Sequence, residues 1–264
     1  MNLKREVSIL CYHSIDSNGN RYSVESKDFY RQMDYLRKNY AVVSLEDILH
    51  FAEGLRDLKR KSVAITFDDG YSDNYLNAYP YFKKYGIPAT IFVTTGYVGK
   101  EMSLDNKNLP TLSWSEIKIM SKNKIEIGAH TISHLKLTEI ELDDVRKEII
   151  DSKKEIEKKI GKEARFFAYP FNAYNQSILK LIKQTGLKSA VCGQGVVQKS
   201  GDVFALGRVE VDRSVSFMLF KMRLTKATSY YNKFEQTLKK MFVNIKFMTR
   251  VLKVYHNLDG QDQK

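Results

Sequence analysis

The sequence predicts an α/β fold with a mainly parallel sheet, either open or closed into a barrel. Three observations carry this. First, stretches such as "SVAITF" (62–67) and "IPATIFVTTG" (87–96) are continuous apolar runs, the pattern of strands buried on both faces. Second, they alternate with segments of helical period along most of the chain. Third, polar residues fall at one repeated place. His13, Asp68–Asp69, His130 and Pro170–Phe171 each close a predicted strand, and that C-terminal edge is where parallel α/β folds build their sites.

The elements follow in order. "VSILCYH" (7–13) is an apolar strand ending in His13. In 23–40, Phe29, Met33, Leu36 and Tyr40 recur at helical spacing. "AVVSLEDIL" gives a short strand and then a helix capped by Ser44, with Asp47 in its first turn. After the 62–67 strand, "DNYLNAYPYFKKYG" is a helix stopped by Gly86. Ser113 and Glu116 stand at capping-box spacing before a further helix. "KIEIGAH" (124–130) is a strand ending in His130. The stretch 137–161 is the longest helical pattern, with Thr138 as its predicted cap and Gly161 as its stop. "ARFFAYPF" is a strand broken by Pro170, "QSILKLIKQTG" a helix, "KSAVCG" a strand, and "FALGRVEV" places Arg208 on another.

With 264 residues, 43% of them hydrophobic, the chain is long enough for one domain of barrel size plus a tail. Neither GxGxxG nor a P-loop motif is present, so nothing suggests a dinucleotide or nucleotide phosphate site. Cys11 and Cys192 form no CxxC and no disulfide framework, and read as two buried thiols in a reducing compartment. The first residues show neither a signal-peptide pattern nor a spanning segment, so the expectation is a protein made and kept in the cytoplasm.

The chemistry concentrates in two stretches. In "GAHTISHLKLT", His130 and His134 are four apart. On a helical turn that spacing sets both imidazoles on one side, where they can share a metal. In "AITFDDG" two carboxylates end a strand, and adjacent side chains there point different ways. Two readings stand: a site of two histidines and one carboxylate, or one histidine at the surface and the other a satisfied polar group of the core.

"TFDDG" (66–70), "HTISH" (130–134) and "FAYPFNAYN" (167–175) together resemble the motifs of the polysaccharide deacetylases, the NodB-homology domains of carbohydrate esterase family 4. The start at "YH" and the following helix and strand pattern resemble the branch containing poly-N-acetylglucosamine deacetylases. The resemblance runs from about residue 7 to 211. It implies a distorted (β/α) barrel and metal-dependent hydrolysis of acetyl groups on sugars. Carried over by position, Asp69, His130 and His134 are the metal ligands and Asp68 is the general base. The backbone N–H of Phe171 is the oxyanion donor, with Tyr169, Pro170 and Asn172 lining the substrate. Phe171 and Asn172 depart from the family's Pro-Tyr-Gly; a backbone donor tolerates the first change, and asparagine tolerates positive φ.

Two family parts are missing from their usual places. No Leu-x-x-His segment follows residue 190, but "LCYH" (10–13) has that form. In a closed barrel the first and last strands are neighbours, which makes His13 the expected general acid. The arginine that pairs with the catalytic aspartate is absent before Pro170, and Arg208 is the candidate replacement, weighed against a plain ion-pair role.

The cofactor expected is a divalent metal: zinc fits the donors, and cobalt, nickel or iron(II) fit too. The expected substrate is an N-acetylated glycan or a lipid-linked sugar, with a formamido sugar on a lipid carrier as a rival. A two-histidine, one-carboxylate iron oxygenase and a non-catalytic sugar-binding module are readings from other classes.

The net charge is +12 and is uneven. Residues 216–258 hold nine Lys/Arg against the single acid Glu235. In this tail Phe234, Leu238, Met241, Phe242, Ile245, Met248 and Leu252 recur at threes and fours. The domain boundary is therefore set at 1–213 for the deacetylase-like part and 214–264 for a basic amphipathic helical tail. Such a helix suits an anionic membrane surface or packing on the barrel; no nucleic-acid recognition motif is present.

Overall fold

In the computed structural model, the described residues are 6–17, 20–59, 61–195, 197 and 201–225. The strands are β1 (Glu6–Tyr12), β2 (Ala41–Val42), β3 (Lys61–Phe67), β4 (Ala89–Val93), β5 (Glu101–Leu104), β6 (Lys107–Pro110), β7 (Ile125–Ala129), β8 (Phe166–Ala168), β9 (Ser189–Gln194) and β10 (Leu206–Glu210). The helices are α1 (Ser26–Asn39), α2 (Leu45–Ala52), α3 (Tyr79–Tyr85), α4 (Trp114–Ser121), α5 (Leu142–Ile160), α6 (Gln176–Ile182) and α7 (Phe217–Arg223).

Seven parallel strands run in the order β1-β10-β9-β8-β7-β4-β3, and β3 pairs back onto β1, so the sheet closes. This is a (β/α) barrel, and its distortion has a visible cause. The outer edge of β3 is shared: β2 takes its first half at Ser62 and Val63, and β4 takes its end at Thr66 and Phe67. Closure also explains the apolar runs, because every strand has a face toward the barrel axis and a face toward helices. Ile9, Ala64, Phe92, Phe166, Val191 and Leu206 fill the inside. Leu45, Ile48 and Leu49 of α2 join that inner cluster at the end where the strands begin, the end opposite the site. Leu10, Ile65, Ile91, Ile127 and Phe167 face outward into the larger core shared with the helices.

Local signals set most boundaries. Ser44 and Asp47 form a full capping box, as do Ser113 and Glu116. Gly86 and Gly161 end their helices at φ 63° and 71°. Three differences from the sequence pattern are informative. The 73–86 helix begins as a π turn (Asn74–Ala78) ahead of α3, since Pro80 has no N–H to donate to the preceding turn. The long helix starts at Leu142, not Thr138, because Leu137–Glu139 first makes a 3-10 turn that buries Leu137. The hairpin β5–β6 has no counterpart in the sequence reading; its turn residues Asp105 and Asn106 both have positive φ.

The chain divides into two units at Leu224, so α7 belongs with the barrel rather than with the predicted tail. Phe217 and Phe220 set their rings edge-on to Tyr35 of α1, and the Arg31 guanidinium lies 4.0 Å from the Phe217 centroid. The predicted amphipathic stretch from Phe234 to Leu252 lies outside the described residues. Among the described residues, no helix is long and apolar enough to cross a membrane.

One irregularity matters for the site. Between β9 and β10 the register slips at Gly207/Arg208: Gly207 pairs with Cys192 but Arg208 with Gln194. Such a bulge re-aims a side chain, and it depends on two glycines in near contact. A Cβ at Gly207 would lie 2.5 Å from the Gly195 Cα. Gly207→Ala is therefore expected to destabilise the protein by about 1–3 kcal/mol through backbone displacement. Denaturant unfolding measures this; an unchanged midpoint would refute the close-packing account.

Candidate active site

Strand alternation puts the first acid in place. Ala64, Thr66 and Asp68 face the barrel interior in sequence, as do Cys11 and His13 on the neighbouring strand. The β1–β3 register pairs Cys11 with Thr66, and the Asp68 N–H donates to the Tyr12 carbonyl oxygen at 2.9 Å. The second acid would face outward if the strand continued. Instead Asp69 adopts φ 71°, which swings its side chain back over the barrel mouth.

His130 also faces inward, continuing Glu126 and Gly128 of β7. His134 does not reach the site on a helical turn, as its spacing suggested. Residues 131–134 form a loop in which Thr131 and His134 both have positive φ, 66° and 55°. That conformation is costly for a β-branched threonine and persists only when its surroundings enforce it. They do: the His134 N–H donates to Thr131 Oγ1, the Thr95 and Gly96 N–H groups donate to the carbonyl oxygens of Thr131 and Ile132, and Glu148 of α5 accepts from the N–H groups of both Ile132 (2.8 Å) and Ser133 (2.9 Å).

Asp69, His130 and His134 converge. Asp69 Oδ1 is 3.4 Å from His130 Nε2 and 3.2 Å from His134 Nε2. His130 Nδ1–H donates to the Ala168 carbonyl oxygen at 2.8 Å, which leaves the Nε2 lone pair pointing at Asp69. Asp69 Oδ1 is fully buried and makes no hydrogen bond. A buried, unpaired carboxylate oxygen is expensive. Donors ~2.0–2.1 Å from one tetrahedral ion stand roughly 3.3–3.4 Å apart, so the three residues fit a divalent cation.

Asp68 is held differently. Arg208 grips it with two parallel bonds, Nη1 to Oδ1 at 2.7 Å and Nη2 to Oδ2 at 2.6 Å, and also donates to Thr66 Oγ1 and the Cys192 carbonyl oxygen. Both partners are almost completely buried. Burial alone would raise the Asp68 pKa; Arg208, with His130, overrides this and lowers it to about 2. Asp68 therefore stays ionised throughout the neutral range. Cys11 donates its S–H to Asp68 Oδ2 at 3.5 Å, and burial keeps that thiol well above its ordinary pKa.

The remaining predicted residues surround one cleft of about 390 Å³. His13 lies in its wall, half-buried, with Nδ1 buried and without a hydrogen bond and its ring 5.4 Å from Tyr22. Tyr169 is buried, stacked on Tyr174, and its hydroxyl donates to the Phe204 carbonyl oxygen, so its ring lines the cleft while its oxygen points away. Pro170 is buried beneath the turn that presents Phe171 and Asn172, both in left-handed conformation at φ 55° and 56°. The Phe171 ring is exposed and packs 4.7 Å from that of His134. The hairpin β5–β6 adds Ser103, Leu104 and Asp105 to the opposite wall.

Sequence reasoning missed Glu148 and this hairpin. A signal for Glu148 existed: it sits on the buried stripe of α5 with Val145, Ile149 and Ser152, an odd place for an acid without a task.

A closed parallel barrel whose C-terminal mouth carries an Asp-His-His cluster beside an arginine-gripped aspartate matches the class the motifs resemble, and comparison with known proteins agrees. A family model described as Polysaccharide deacetylase matches residues 56–190, just over half of the chain, and the chain belongs to that family. YxkH of Bacillus subtilis (strain 168), which carries the polysaccharide deacetylase name, is 35% identical over 217 residues, 81% of this chain and 75% of its own length. The poly-beta-1,6-N-acetyl-D-glucosamine N-deacetylase of Staphylococcus aureus (strain MSSA476) is 35% identical over 177 residues; that match spans 63% of this chain and only 60% of the staphylococcal protein. Among solved structures, IcaB from Ammonifex degensii superposes with TM-score 0.74 at 24% identity, covering 83% of this chain and 96% of its own. The Streptococcus pyogenes deacetylase PplD, solved with acetate, gives 0.73 at 24% identity, covering 83% and 98%. These two likenesses establish the barrel fold.

Three outcomes are expected from this geometry. Arg208→Met leaves Asp68 as an uncompensated buried charge and should cost about 3–5 kcal/mol, most of it recovered in the double variant with Asp68→Asn. The pair's pH dependence has a definite sign. A carboxyl depressed in the folded state stabilises above its unfolded pKa and loses that contribution as pH falls, here from about 4 toward 2. Metal-free Asp68→Asn protein should lack this acid-side loss. Separately, Glu148→Gln should weaken divalent-metal affinity by roughly 10–100-fold while the barrel stays folded; equilibrium dialysis with unchanged affinity would remove Glu148 from the ligand-positioning role.

Proposed function

We propose that the protein is a metal-dependent hydrolase that removes N-acetyl groups from an N-acetylated sugar polymer. The observation that carries this is the convergence of Asp69, His130 and His134 on an unpaired buried oxygen, directly beside an ionised Asp68 locked by Arg208. Family membership and the staphylococcal relative's named activity on poly-N-acetylglucosamine support the choice of substrate class.

Asp69, His130 and His134 would hold a divalent cation, which when bound supplies polarisation of the acyl oxygen and acidification of a water. The chain's own residues do the rest. Asp68 accepts a proton from the attacking water through a lone pair that Arg208 leaves free. With its pKa held so low, it suits only a strongly acidified donor. Arg208 orients the carboxylate and is not consumed. The Phe171 N–H, presented by the left-handed turn over Pro170, stabilises the oxyanion. As the C–N bond breaks, His13 gives a proton to the leaving nitrogen, and acetate and a free amine result. Tyr169 and Asn172 border the sugar, and the β5–β6 hairpin limits its approach from the other side.

The test is acetate release from N-acetylglucosamine oligomers, with metal analysis of the same samples. Chelation should abolish turnover and a divalent metal restore it. Asp69→Ala should lose bound metal. Asp68→Asn and His13→Ala should keep the metal but lose roughly 10²–10⁴ in kcat. Full activity of the chelated protein, or of Asp68→Asn, would overturn the mechanism.

A further inference from the structure

We propose that Cys11, His13 and Asp68 form a second cation site, next to the Asp69 cluster, that takes up a thiophilic divalent ion and switches the enzyme off. Strand alternation puts Cys11 on the inward face of β1 with His13 following just past the strand's end, and Asp68, just past the end of the paired β3, lies within reach of both. One donor atom from each lies within 4.8 Å of the others. This set is separate from Asp69, His130 and His134, and its chemistry differs. A thiol sulfur joined to an imidazole and a carboxylate selects ions such as zinc or cadmium over hard cations.

The donors are free to serve. Arg208 occupies two of the four lone-pair positions on Asp68, and the Cys11 S–H donates to another at 3.5 Å. His13 Nδ1 is buried and makes no hydrogen bond. An entering ion replaces the thiol proton, so that Sγ–H and M²⁺ give Sγ–M⁺ and a proton released to the buffer. With a dication at the Asp69 cluster, the thiolate, Asp68, Asp69 and the nearby Glu210 carry four negative charges against three positive ones from that ion and Arg208, so the local charge still favours a further cation. Cys11 Sγ and Asp68 Oδ2 already stand 3.5 Å apart, and with all three donors inside 4.8 Å the contraction needed for tetrahedral spacing is at most roughly 1.3 Å, a movement open to the half-buried His13 ring. The inhibitory consequence rests on the reading of Asp68 as base and His13 as acid; uptake of the ion does not.

The experiment starts from enzyme carrying one equivalent of its activating metal and titrates in cadmium. Bound cadmium, the ultraviolet sulfur-to-cadmium charge-transfer band and acetate release are followed together. The wild-type protein should bind a second equivalent, show the band and lose activity in step with it. Cys11→Ser and Cys11→Ala should show no band, and the inhibition midpoint, read against each variant's own resting rate, should rise by more than about tenfold, since a direct ligand is lost. Cys192→Ser should behave as wild type. A band that survives in the Cys11 variants, or that vanishes with Cys192, overturns the assignment. So does inhibition of wild type without a band, which would mean displacement at Asp69. If no substrate is turned over, the band and the bound second equivalent still decide whether the site exists, and only the hydrolase reading fails.

Discussion

Everything at the barrel mouth depends on the ion pair between Asp68 and Arg208. Burying an isolated carboxylate costs far more than a fold of this size can supply, so the acid can sit inside the barrel only if a cation arrives with matched geometry. The guanidinium comes from a strand 140 residues later in the chain. It gets there because β1 pairs with both β3 and β10, and because the bulge at Gly207 turns residue 208 inward. Closure of the sheet and ionisation of Asp68 are therefore one requirement seen at two scales. The same closure places residues 10–13 beside 66–69, which is why a histidine from the first strand shares a cleft with groups from the third and the last.

The two adjacent acids owe their separate positions to backbone geometry. Asp68 follows strand alternation inward. Asp69 breaks it with a left-handed φ and turns over the mouth, toward two imidazoles. The partner loop at 131–134 carries the same kind of strain, and it is held by neighbours on both sides, the 95–96 turn and Glu148. Strained residues thus collect where the proposed chemistry is, and the packed helices behind them keep them in place. The two carboxylates are left with different neighbours, Asp69 the imidazoles of His130 and His134 and Asp68 the guanidinium of Arg208.

Much of the architecture was legible in the chain. Buried apolar runs marked the strands of the barrel, and serine caps and glycine stops marked helix ends, because these are short-range effects set by residues a few positions apart. The motif residues were legible for a related reason: polar groups closing apolar strands are conspicuous. The failures were equally physical. The hairpin at 101–110 is short: Glu101–Leu104 alternates polar and apolar over only four residues and Lys107–Pro110 does not, so the signal is too brief to mark a strand. The start of α5 at Leu142 rather than Thr138 was decided by the burial of Leu137 in the outer core, a long-range demand that overrode a local cap. Helical spacing suggested that His130 and His134 share a helical face; they converge instead through a left-handed loop.

By itself the sequence determined the fold class, the strand ends at which the site is built, and the identities of Asp68, Asp69, His130, His134 and His13 as the groups with chemistry to offer. It also named Arg208, though as one of two readings. Only the tertiary structure decided that Arg208 faces Asp68, that Glu148 secures the 131–134 loop, and that Cys11 stands within reach of Asp68 and His13. Those outcomes turn on strand closure, on register and on a single bulge. Each is a matter of which distant segments come into contact, and contacts of that kind are settled by the packing of the whole barrel rather than by any local run of residues.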